Sequence, residues 1–350
     1  MEIKELIENF KINGEVVDCR PLGNGHINYT FLLTTDKDEQ YVFQRINNSV
    51  FKDVDGLMNN IFKVTNFLEN EGYETLKIIK TKDDKLYYEN EGKYYRVYVY
   101  NKNTICYEGA ENLKEVYDAG KAFGKLHKSL AHFNASSLVE VIPHFHDTYQ
   151  RYLNLLDAIK EDKKGRVKTC LPEIEILKNW ENEYSIITDG IKNGEIRLGV
   201  THNDPKINNV LFDKKTGDIR AVVDLDTVMP GSYLFDYGDA IRGLFSLPYE
   251  DSKDLSKLYI KYDVFESYTK GYLSEMKNIL LPKEKELLAF SAFLLTVESA
   301  IRFLEDYIRG DVYFHTEYPE HNLVRTRTQI KLSVDIHNDL ENLNNLVAGY

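Results

Sequence analysis

Apolar and polar residues alternate in short segments over the first hundred residues of the chain. Alternation of this kind predicts half-buried strands. The segments that show it are YTFLLTT (29–35), QYVFQRI (40–46), LKIIKT (76–81), KLYYE (85–89) and KYYRVYVY (93–100). Between the second and third of them, Leu57, Ile61, Val64 and Leu68 follow helical spacing, and Gly72 marks a stop. The pattern predicts a strand-rich unit that contains one helix.

After residue 104 the spacing of apolar residues becomes helical. Residues 111–133 place five apolar side chains on one stripe of a helix: Val116, Ala119, Phe123, Leu126 and Leu130. Strand patterns return only at VLFD (210–213) and IRAVVDLD (219–226). We therefore predict an α+β protein with a small antiparallel-sheet lobe at residues 1–100 and a larger, mostly helical lobe at residues 101–350.

The composition limits the classes of partner. A hydrophobic content of 43% and a charged content of 29% are typical of soluble globular proteins, and no apolar stretch approaches the roughly 20 residues that cross a bilayer. The net charge of -12 argues against a nucleic-acid partner bound through a generally basic surface. The three cysteines are far apart in the sequence, which favours neither a zinc site nor a disulfide framework. We expect a cytoplasmic protein without a membrane segment.

A polar segment, THNDPKINN (201–209), directly precedes the strand pattern VLFD. Its Asp204 is followed by Asn209 and, at the end of the next strand pattern, by Asp224. Phosphoryl transfer needs this combination, because a carboxylate must accept the proton of the acceptor hydroxyl while oxygen ligands hold magnesium ions. A crowded polar turn would explain H-x-D-x-x-x-x-N alone, but the second strand with its aspartate favours a catalytic loop.

Other polar residues near this segment receive supporting roles. Asp226 is a second candidate metal ligand, and it shares a side with Asp224 only if the strand continues through both residues; we favour Asp224. His202 is expected to hold the loop through backbone hydrogen bonds. In FDYGD (235–239), Asp236 and Asp239 are expected to steady the catalytic loop rather than to react.

A glycine-rich stretch, Gly23-Asn24-Gly25, lies between two strand patterns. Asn-Gly by itself is a strong hairpin-turn signal, yet glycines also let a loop approach nucleotide phosphates closely. The downstream aspartates favour the nucleotide-binding interpretation. Arg45, on the strand pattern at 40–46, is the natural cation for the phosphates; a solvent-exposed edge-strand arginine is the alternative, and its acidic partner is not identified.

The chain after residue 297 is dense in groups that bind sugars. Glu298 and Arg302 are four residues apart and by default form an ordinary helix pair. Tyr313 and its aromatic neighbours are more often core residues than a ligand platform. The run RTRTQIK (325–331) is most simply a solvated face.

Six segments together resemble the bacterial N-acetylhexosamine 1-kinases, within the aminoglycoside phosphotransferase and choline kinase family. They are GNGHIN (23–28), YVFQRIN (41–47), IPHFHDT (142–148), THNDPKINN (201–209), VVDLDTVMPGSYLFDYGD (222–239) and GDVYFHTEYPEHNLVRTRTQIKL (310–332). The similarity covers nearly the whole chain. The catalytic motifs are shared by the entire family, whereas the GHIN loop and the C-terminal segment are more specific to the hexosamine kinases.

The resemblance implies a two-lobed protein-kinase-like fold and ATP-dependent phosphorylation of the anomeric hydroxyl of GlcNAc or GalNAc. It implies that Asp204 is the base and that Asn209 and Asp224 are Mg²⁺ ligands. The residues that it implies for sugar contact are His26, Arg302 and Tyr313. Two features depart from the family pattern. Pro205 stands where a hydroxyl residue is expected, and no glutamate on the predicted helix is identified as an ion-pair partner for the strand cation, Arg45.

Three other functions remain open from the sequence. A kinase of the same fold can act on another sugar, an amino alcohol or an aminoglycoside with the same catalytic residues. A metal-dependent phosphohydrolase can use Asp204, Asp224 and Asp226. A non-catalytic nucleotide-binding module is the third alternative, and it is disfavoured because Asp204, Asn209 and Asp224 are all present. The expected ligands are ATP, Mg²⁺ and a small sugar, and both a monomer and a homodimer fit the sequence.

Overall fold

A computed structural model describes residues 3–23 and 28–350 of the chain. By the density of their contacts, the residues divide into two compact units. The smaller unit runs up to Glu108 and also contains Ser129–Ile142 and Asn208–Pro230, whereas the larger unit contains Gly109–Lys128, Pro143–Ile207 and Gly231–Tyr350. The sequence-based boundary at residues 100–104 stays a prediction, because this division falls slightly later and returns two further segments to the smaller unit.

Eleven strands and twelve α-helices are found among the described residues. The strands are β1 (Val16–Pro21), β2 (Tyr29–Thr35), β3 (Gln40–Ile46), β4 (Ile78–Ile79), β5 (Tyr88–Asn90), β6 (Lys93–Val99), β7 (Thr104–Ile105), β8 (Gly199–Thr201), β9 (Val210–Asp213), β10 (Ile219–Val222) and β11 (Met229–Gly231). The helices are α1 (Ile3–Ile7), α2 (Val54–Asn70), α3 (Leu113–Ser129), α4 (Thr148–Glu161), α5 (Leu171–Lys178), α6 (Ile186–Asn193), α7 (Tyr233–Ser246), α8 (Tyr262–Met276), α9 (Pro282–Glu286), α10 (Leu288–Arg309), α11 (His321–Asn338) and α12 (Leu340–Ala348).

The smaller unit is built on an antiparallel sheet with the order β1-β2-β3-β6-β4, in which β5 also pairs with β6. Because side chains alternate along a strand, the sheet has two distinct faces. One face packs against α1 through a buried apolar cluster: Leu6, Ile7, Phe10, Leu33, Tyr41, Phe43, Tyr95 and Val97. The other face carries Arg96, whose guanidinium contacts Met58 of α2. A second antiparallel sheet, β10-β9-β7, completes this unit.

Most sequence-predicted elements of the smaller unit are confirmed. β2, β3 and β6 lie where alternation predicts them, and α2 covers Val54–Asn70, just before Gly72. The segments at 76–81 and 85–89 are only partly strand, with Ile78–Ile79 and Tyr88–Asn90 paired. Asp84, with a φ of +64°, lies in the turn between the two segments.

The larger unit is helical and is organised around α10. This 22-residue helix is buried on nearly every side, which is typical of a helix in the centre of a large core. Helices α4, α7 and α11 pack against it. The most apolar stretch of the sequence therefore lies in a protein core. Among residues 3–23 and 28–350, no helix has both the length and the apolar composition needed to cross a membrane.

We expect Gly238→Ala to destabilise the larger unit, because α7 packs closely against α10 at this residue. A Cβ at Gly238 would lie 2.3 Å from the Ser291 carbonyl oxygen, so the two backbones must move apart. Overpacking of this kind costs about 1–3 kcal/mol. The matched control is Gly243→Ala in the same helix, where an added Cβ meets no atom within 4 Å. Thermal unfolding should show a lower Tm for the first variant only; equal Tm values would contradict the packing argument.

Candidate active site

The loop around Asp204 belongs to the larger unit and is held by a buried carboxylate. Asp236 of α7 is fully buried and accepts hydrogen bonds from the backbone N–H groups of His202 (2.7 Å) and Asn203 (2.6 Å). Asn203 has a φ of +64°, a conformation that asparagine tolerates better than most residues. The backbone N–H of Asp204 in turn donates to His202 Nδ1 at 3.2 Å. The predicted loop-holding roles of Asp236 and His202 are confirmed.

A buried polar chain supports Asp236 from the other side. His127 Nε2 lies 2.7 Å from Asp236 Oδ2, and His127 Nδ1 lies 2.9 Å from the Tyr272 hydroxyl. Burial alone would raise the pKa of Asp236, but His127 and the loop amides outweigh it and lower the pKa. The ionised carboxylate is therefore the form that holds the loop. Asp239 instead bonds Arg242 of the same helix at 2.7 Å, and it reaches the loop through the charge of Lys206, which helps to lower the pKa of Asp239. Its loop-steadying role stays a prediction.

We expect Asp236→Asn to be less stable than the wild type near neutral pH by about 1–3 kcal/mol. The folded-state pKa of Asp236 lies below its unfolded value, so the carboxylate stabilises the fold above about pH 4 and loses this effect as the pH falls through the folded pKa. The stability difference should therefore shrink below about pH 4. Urea unfolding at several pH values measures it, with the exposed Asp157→Asn as control. A difference that does not change with pH would contradict an ionised Asp236.

Asp204 itself lies beside a cation that the sequence analysis did not assign. Lys206 Nζ is 2.7 Å from Asp204 Oδ1, and 56% of the Lys206 side chain is exposed. Partial burial lowers the pKa of Lys206, but the Asp204 carboxylate outweighs it and the pKa is raised. The loop thus presents a carboxylate and a charged ammonium together. The signal was the position of the lysine in THNDPK, two residues after the aspartate.

Asn209 and Asp224 belong to the smaller unit, where the β9–β10 hairpin brings them to neighbouring positions. Val210 pairs with Val222, and directly beyond that pair the Val223 N–H donates to the Asn209 carbonyl oxygen at 2.8 Å. The Asp224 side chain is exposed, and its backbone has φ +60° and ψ +59°. The hairpin therefore carries a buried asparagine and an exposed aspartate at one end.

These two side chains fit a magnesium site by the chemistry of their donor atoms. Mg²⁺ prefers oxygen ligands, and proteins usually supply one or two side chains while phosphates and waters complete the shell. No group of three or more His, Cys, Asp or Glu side chains in the described ranges is arranged to hold a metal. A pair of oxygen donors that shares the ion with a nucleotide is consistent with this.

Asp226 is engaged elsewhere in the smaller unit. β10 ends at Val222, so no strand places Asp224 and Asp226 on a common side. Asp226 is only 5% exposed; its Oδ1 lies 2.6 Å from Arg96 Nη2, and its Oδ2 accepts from Asn28 Nδ2 at 2.6 Å. This arrangement favours Asp224 over Asp226 as the metal ligand.

Arg96 is a buried cation that the sequence analysis missed. It is 1% exposed, and its Nε donates to the Gln44 side-chain oxygen at 3.0 Å. Burial lowers the pKa of the guanidinium, but the Asp226 carboxylate outweighs it and the pKa is raised. Its only sequence signal was an arginine within the aromatic strand KYYRVYVY, which alternation alone places on one face of a sheet.

Arg45 lies on the opposite face of the sheet from Arg96. Gln44 is the register partner of Arg96, and the next residue, Arg45, pairs with Tyr95 on the α1 face. Its guanidinium lies 5.5 Å from the centre of the Tyr29 ring, which is 66% exposed. Within the described part of the chain Arg45 forms no ion pair. Its phosphate-binding role stays a prediction.

The glycine-rich stretch is only partly described. Gly23 has a φ of +71°, a left-handed conformation that glycine adopts without strain. The predicted nucleotide contacts Asn24 and Gly25 and the predicted sugar contact His26 lie outside the described residues.

Arg302 and Tyr313 come together in the larger unit around Phe314. The Arg302 guanidinium lies 5.7 Å from the Phe314 ring centre and 5.3 Å from that of Phe145. The Tyr313 ring meets Phe314 nearly edge-on with ring centres 4.8 Å apart, and Tyr313 is 65% exposed. Tyr313 is therefore an exposed aromatic group rather than a core residue.

Asp306, another residue that the sequence analysis missed, fixes the loop that carries Tyr313. Its carboxylate accepts from the backbone N–H groups of Val312 and Tyr313, both at 2.9 Å, and of Phe314 at 3.0 Å. Asn322 Nδ2 donates to the same carboxylate at 2.8 Å. No motif marks an aspartate for this role, because its partners are backbone groups.

The default helix pair between Glu298 and Arg302 is wrong. Glu298 is buried and pairs with His146 Nδ1 at 2.8 Å, while the Thr148 hydroxyl donates to its other oxygen at 2.7 Å. Burial raises the pKa of Glu298, but His146, with a smaller contribution from Arg302, lowers it below its usual value. The IPHFHDT segment thus supplies the partners of Glu298, which leaves the Arg302 guanidinium with the two aromatic rings.

The family follows from a comparison of the whole sequence with known proteins. The profile of the phosphotransferase enzyme family matches residues 18–259. The chain belongs to this family. The match includes Asp204, Asn209 and Asp224, so the family level of the resemblance is confirmed.

Individual relatives are more distant. The uncharacterized kinase-like protein D1044.1 of Caenorhabditis elegans is 30% identical over 125 residues, which span 32% of this chain and 32% of that protein. An aminoglycoside phosphotransferase from Alicyclobacillus acidocaldarius has a similar structure, with a TM-score of 0.63, 12% identity, and coverage of 100% of this chain and 97% of that one. An amicoumacin kinase in complex with AMP-PNP and Ca²⁺ has a TM-score of 0.56 at 15% identity, with coverage of 91% and 89%. These similarities confirm the predicted α+β, protein-kinase-like fold.

Proposed function

We propose that the protein is an ATP- and Mg²⁺-dependent kinase that phosphorylates the anomeric hydroxyl of an N-acetylhexosamine. The observation that carries the proposal is the loop at Asp204, whose backbone is held by the buried Asp236 and whose carboxylate lies beside Lys206. A small-molecule phosphotransferase needs a fixed carboxylate of this kind, because positioning and charge stabilisation supply most of the catalysis in phosphoryl transfer.

In the proposed reaction, Asp204 orients the acceptor hydroxyl and accepts its proton. The hydroxyl oxygen forms a bond to the γ-phosphorus of ATP, the bond from that phosphorus to the β,γ-bridging oxygen breaks, and ADP leaves. The proton passes from Asp204 to solvent. Lys206, which is charged because its pKa is raised, stabilises the negative charge of the group in transfer.

Asn209 and Asp224 are the residues that would hold the metal ion. A bound Mg²⁺ supplies charge neutralisation on the phosphate oxygens. Asp224 contributes a negative charge and Asn209 a neutral oxygen, and the hairpin hydrogen bond between Val223 and Asn209 keeps their backbones in register. Gly23, Asn24, Gly25 and Arg45 are the proposed nucleotide contacts.

The proposed acceptor is a neutral sugar, with His26, Arg302 and Tyr313 as its contacts. The Arg302 guanidinium lies against the Phe145 and Phe314 rings, with ring centres at 5.3 and 5.7 Å. An N-acetylhexosamine offers hydroxyl and amide oxygens that accept from a guanidinium. The choice of this sugar class also rests on the sequence resemblance at GHIN and at residues 310–332.

The test is an ADP-release assay with ATP and Mg²⁺ over a panel of acceptors. GlcNAc and GalNAc should give turnover well above that with glucose, galactose, choline and an aminoglycoside. Fast ADP release that needs no acceptor would instead indicate a phosphohydrolase. Turnover with only choline or the aminoglycoside would contradict the proposed acceptor class while leaving the kinase activity in place.

A further inference from the structure

Arg96 and Asp226 form a buried ion pair in the smaller unit that neither the family assignment nor the proposed chemistry explains. Arg96 Nη2 lies 2.6 Å from Asp226 Oδ1, and the side chains are 2% and 7% exposed. Removal of two charges from water costs several kcal/mol for each ion, so a buried pair is weak evidence for stability. The best-attested role of such pairs is to select one conformation of the protein among several.

The pair connects three parts of the smaller unit. Arg96 on β6 also donates to Gln44 on β3 (3.0 Å), which fixes the orientation of its guanidinium. The second carboxylate oxygen of Asp226 accepts from Asn28 at 2.6 Å, and Asn28 Oδ1 accepts from the Asn47 N–H at 2.9 Å. Asn28 directly precedes β2, so Asp226 joins the start of that strand to Arg96 on β6.

The same carboxylate fixes the turn that begins at Asp224. Leu225–Thr227 form a short 3₁₀ turn in which Leu225 is buried. The Val228 carbonyl at the end of the turn accepts from the buried Asn60 of α2 at 3.0 Å. The turn is therefore held by an apolar side chain, by an ion pair and by a hydrogen bond from the Asn60 side chain to the Val228 carbonyl. Asp224 needs such support, because a non-glycine residue in the left-handed region costs of order 1–3 kcal/mol.

We propose that Arg96, Asp226 and Asn28 are positioning residues that hold Asp224 in the orientation required for a divalent cation bound with a nucleoside diphosphate or triphosphate. This inference rests on the metal-binding role of Asp224 in the proposed function. The ion pair joins strand β6 to the turn after Asp224. Arg96 also contacts Met58 on helix α2, at 3.8 Å from the sulfur.

The decisive experiment measures metal-dependent nucleotide binding rather than turnover. ADP binding is titrated by calorimetry at increasing Mg²⁺ in the wild type and in the double variant R96M/D226L. Replacement of both charges by apolar residues of similar size leaves no unpaired charge and is often neutral for stability. We expect a Tm close to that of the wild type and an Mg²⁺ requirement that rises about 10- to 100-fold, the usual range for residues that orient metal ligands.

Arg96→Lys keeps the charge but loses the planar fork that reaches Gln44 and Asp226, so a smaller rise in the Mg²⁺ requirement is expected. The matched control is Arg220→Met on β10, which breaks exposed pairs with Glu74 and Asp213 in the same unit and should leave the requirement unchanged.

A folded double variant with the Mg²⁺ requirement of the wild type would overturn the positioning role. If the double variant does not fold, the test rests on Arg96→Lys alone. An unchanged Mg²⁺ requirement for ADP binding in that variant would again overturn the positioning role. Failure of the wild type to bind ADP with Mg²⁺ would contradict the proposed function as well as this inference, so the two failures are distinguishable.

Discussion

Asp204→Asn should lower kcat by at least two to three orders of magnitude while ADP affinity stays close to that of the wild type. Asparagine keeps the size of the side chain but cannot accept the proton of the acceptor hydroxyl. It also removes the charge that Lys206 faces at 2.7 Å, whereas the backbone of the loop remains bonded to Asp236. The loss should therefore appear in kcat and not in Tm. The measurement combines steady-state kinetics with ADP calorimetry.

The control for this variant is Asn208→Ala. Asn208 is exposed and lies in the same sequence segment, and its substitution should leave kcat within a few-fold of the wild type. Turnover of Asp204→Asn at a rate near that of the wild type would exclude Asp204 as the base. An equal loss of ADP affinity and kcat would show that the substitution disturbs the fold of the site rather than proton transfer.

Asp224→Asn should produce the second large loss, in kcat/KM for ATP, together with a higher Mg²⁺ requirement. Asparagine tolerates the left-handed conformation with a φ of +60° that Asp224 adopts, so the substitution tests charge without adding backbone strain. Mg²⁺ is bound through few protein ligands, and loss of the carboxylate should therefore cost at least about tenfold in metal affinity. Kinetics over a range of Mg²⁺ concentrations measures both effects.

Asp218→Asn is the matched control, because Asp218 is an exposed aspartate on the same β9–β10 hairpin. It should leave the Mg²⁺ dependence unchanged. If Asp224→Asn also keeps the kcat/KM of the wild type at low Mg²⁺, Asp224 is not a metal ligand. A residue that the sequence analysis did not favour must then hold the ion.

The candidate site residues that sequence reasoning proposed are those that local spacing encodes. Asp204 and Asn209 lie just before the strand pattern VLFD, and Asp224 lies at the end of the next strand pattern; the structure places β9 directly after Asn209 and ends β10 two residues before Asp224. Asp236 was identifiable because it lies in a short acidic segment that begins α7. In these cases the chemistry and the secondary structure depend on neighbours in the sequence.

The residues that were missed depend on partners far away along the chain. In the sequence, Arg96 follows the alternation of apolar and polar residues like any other strand residue. Its ion pair with Asp226 forms only because the fold places the two side chains next to each other. The sequence predicted an ion pair between Glu298 and Arg302 because the two are one helical turn apart. In the structure the Glu298 carboxylate instead forms a buried hydrogen bond with His146 at 2.8 Å. Burial strengthens a hydrogen bond between charged groups. A local sequence pattern does not show which of these groups are buried.

We propose transfer of the γ-phosphate of ATP to the anomeric oxygen of an N-acetylhexosamine. Phosphorus NMR of the product made from GlcNAc labelled with carbon-13 at its anomeric carbon tests this proposal directly. We predict a phosphomonoester signal split by coupling to the labelled carbon, together with one equivalent of ADP. A phosphate signal without that coupling, as expected for a sugar phosphorylated at its primary hydroxyl, or inorganic phosphate in place of a sugar phosphate, would contradict it.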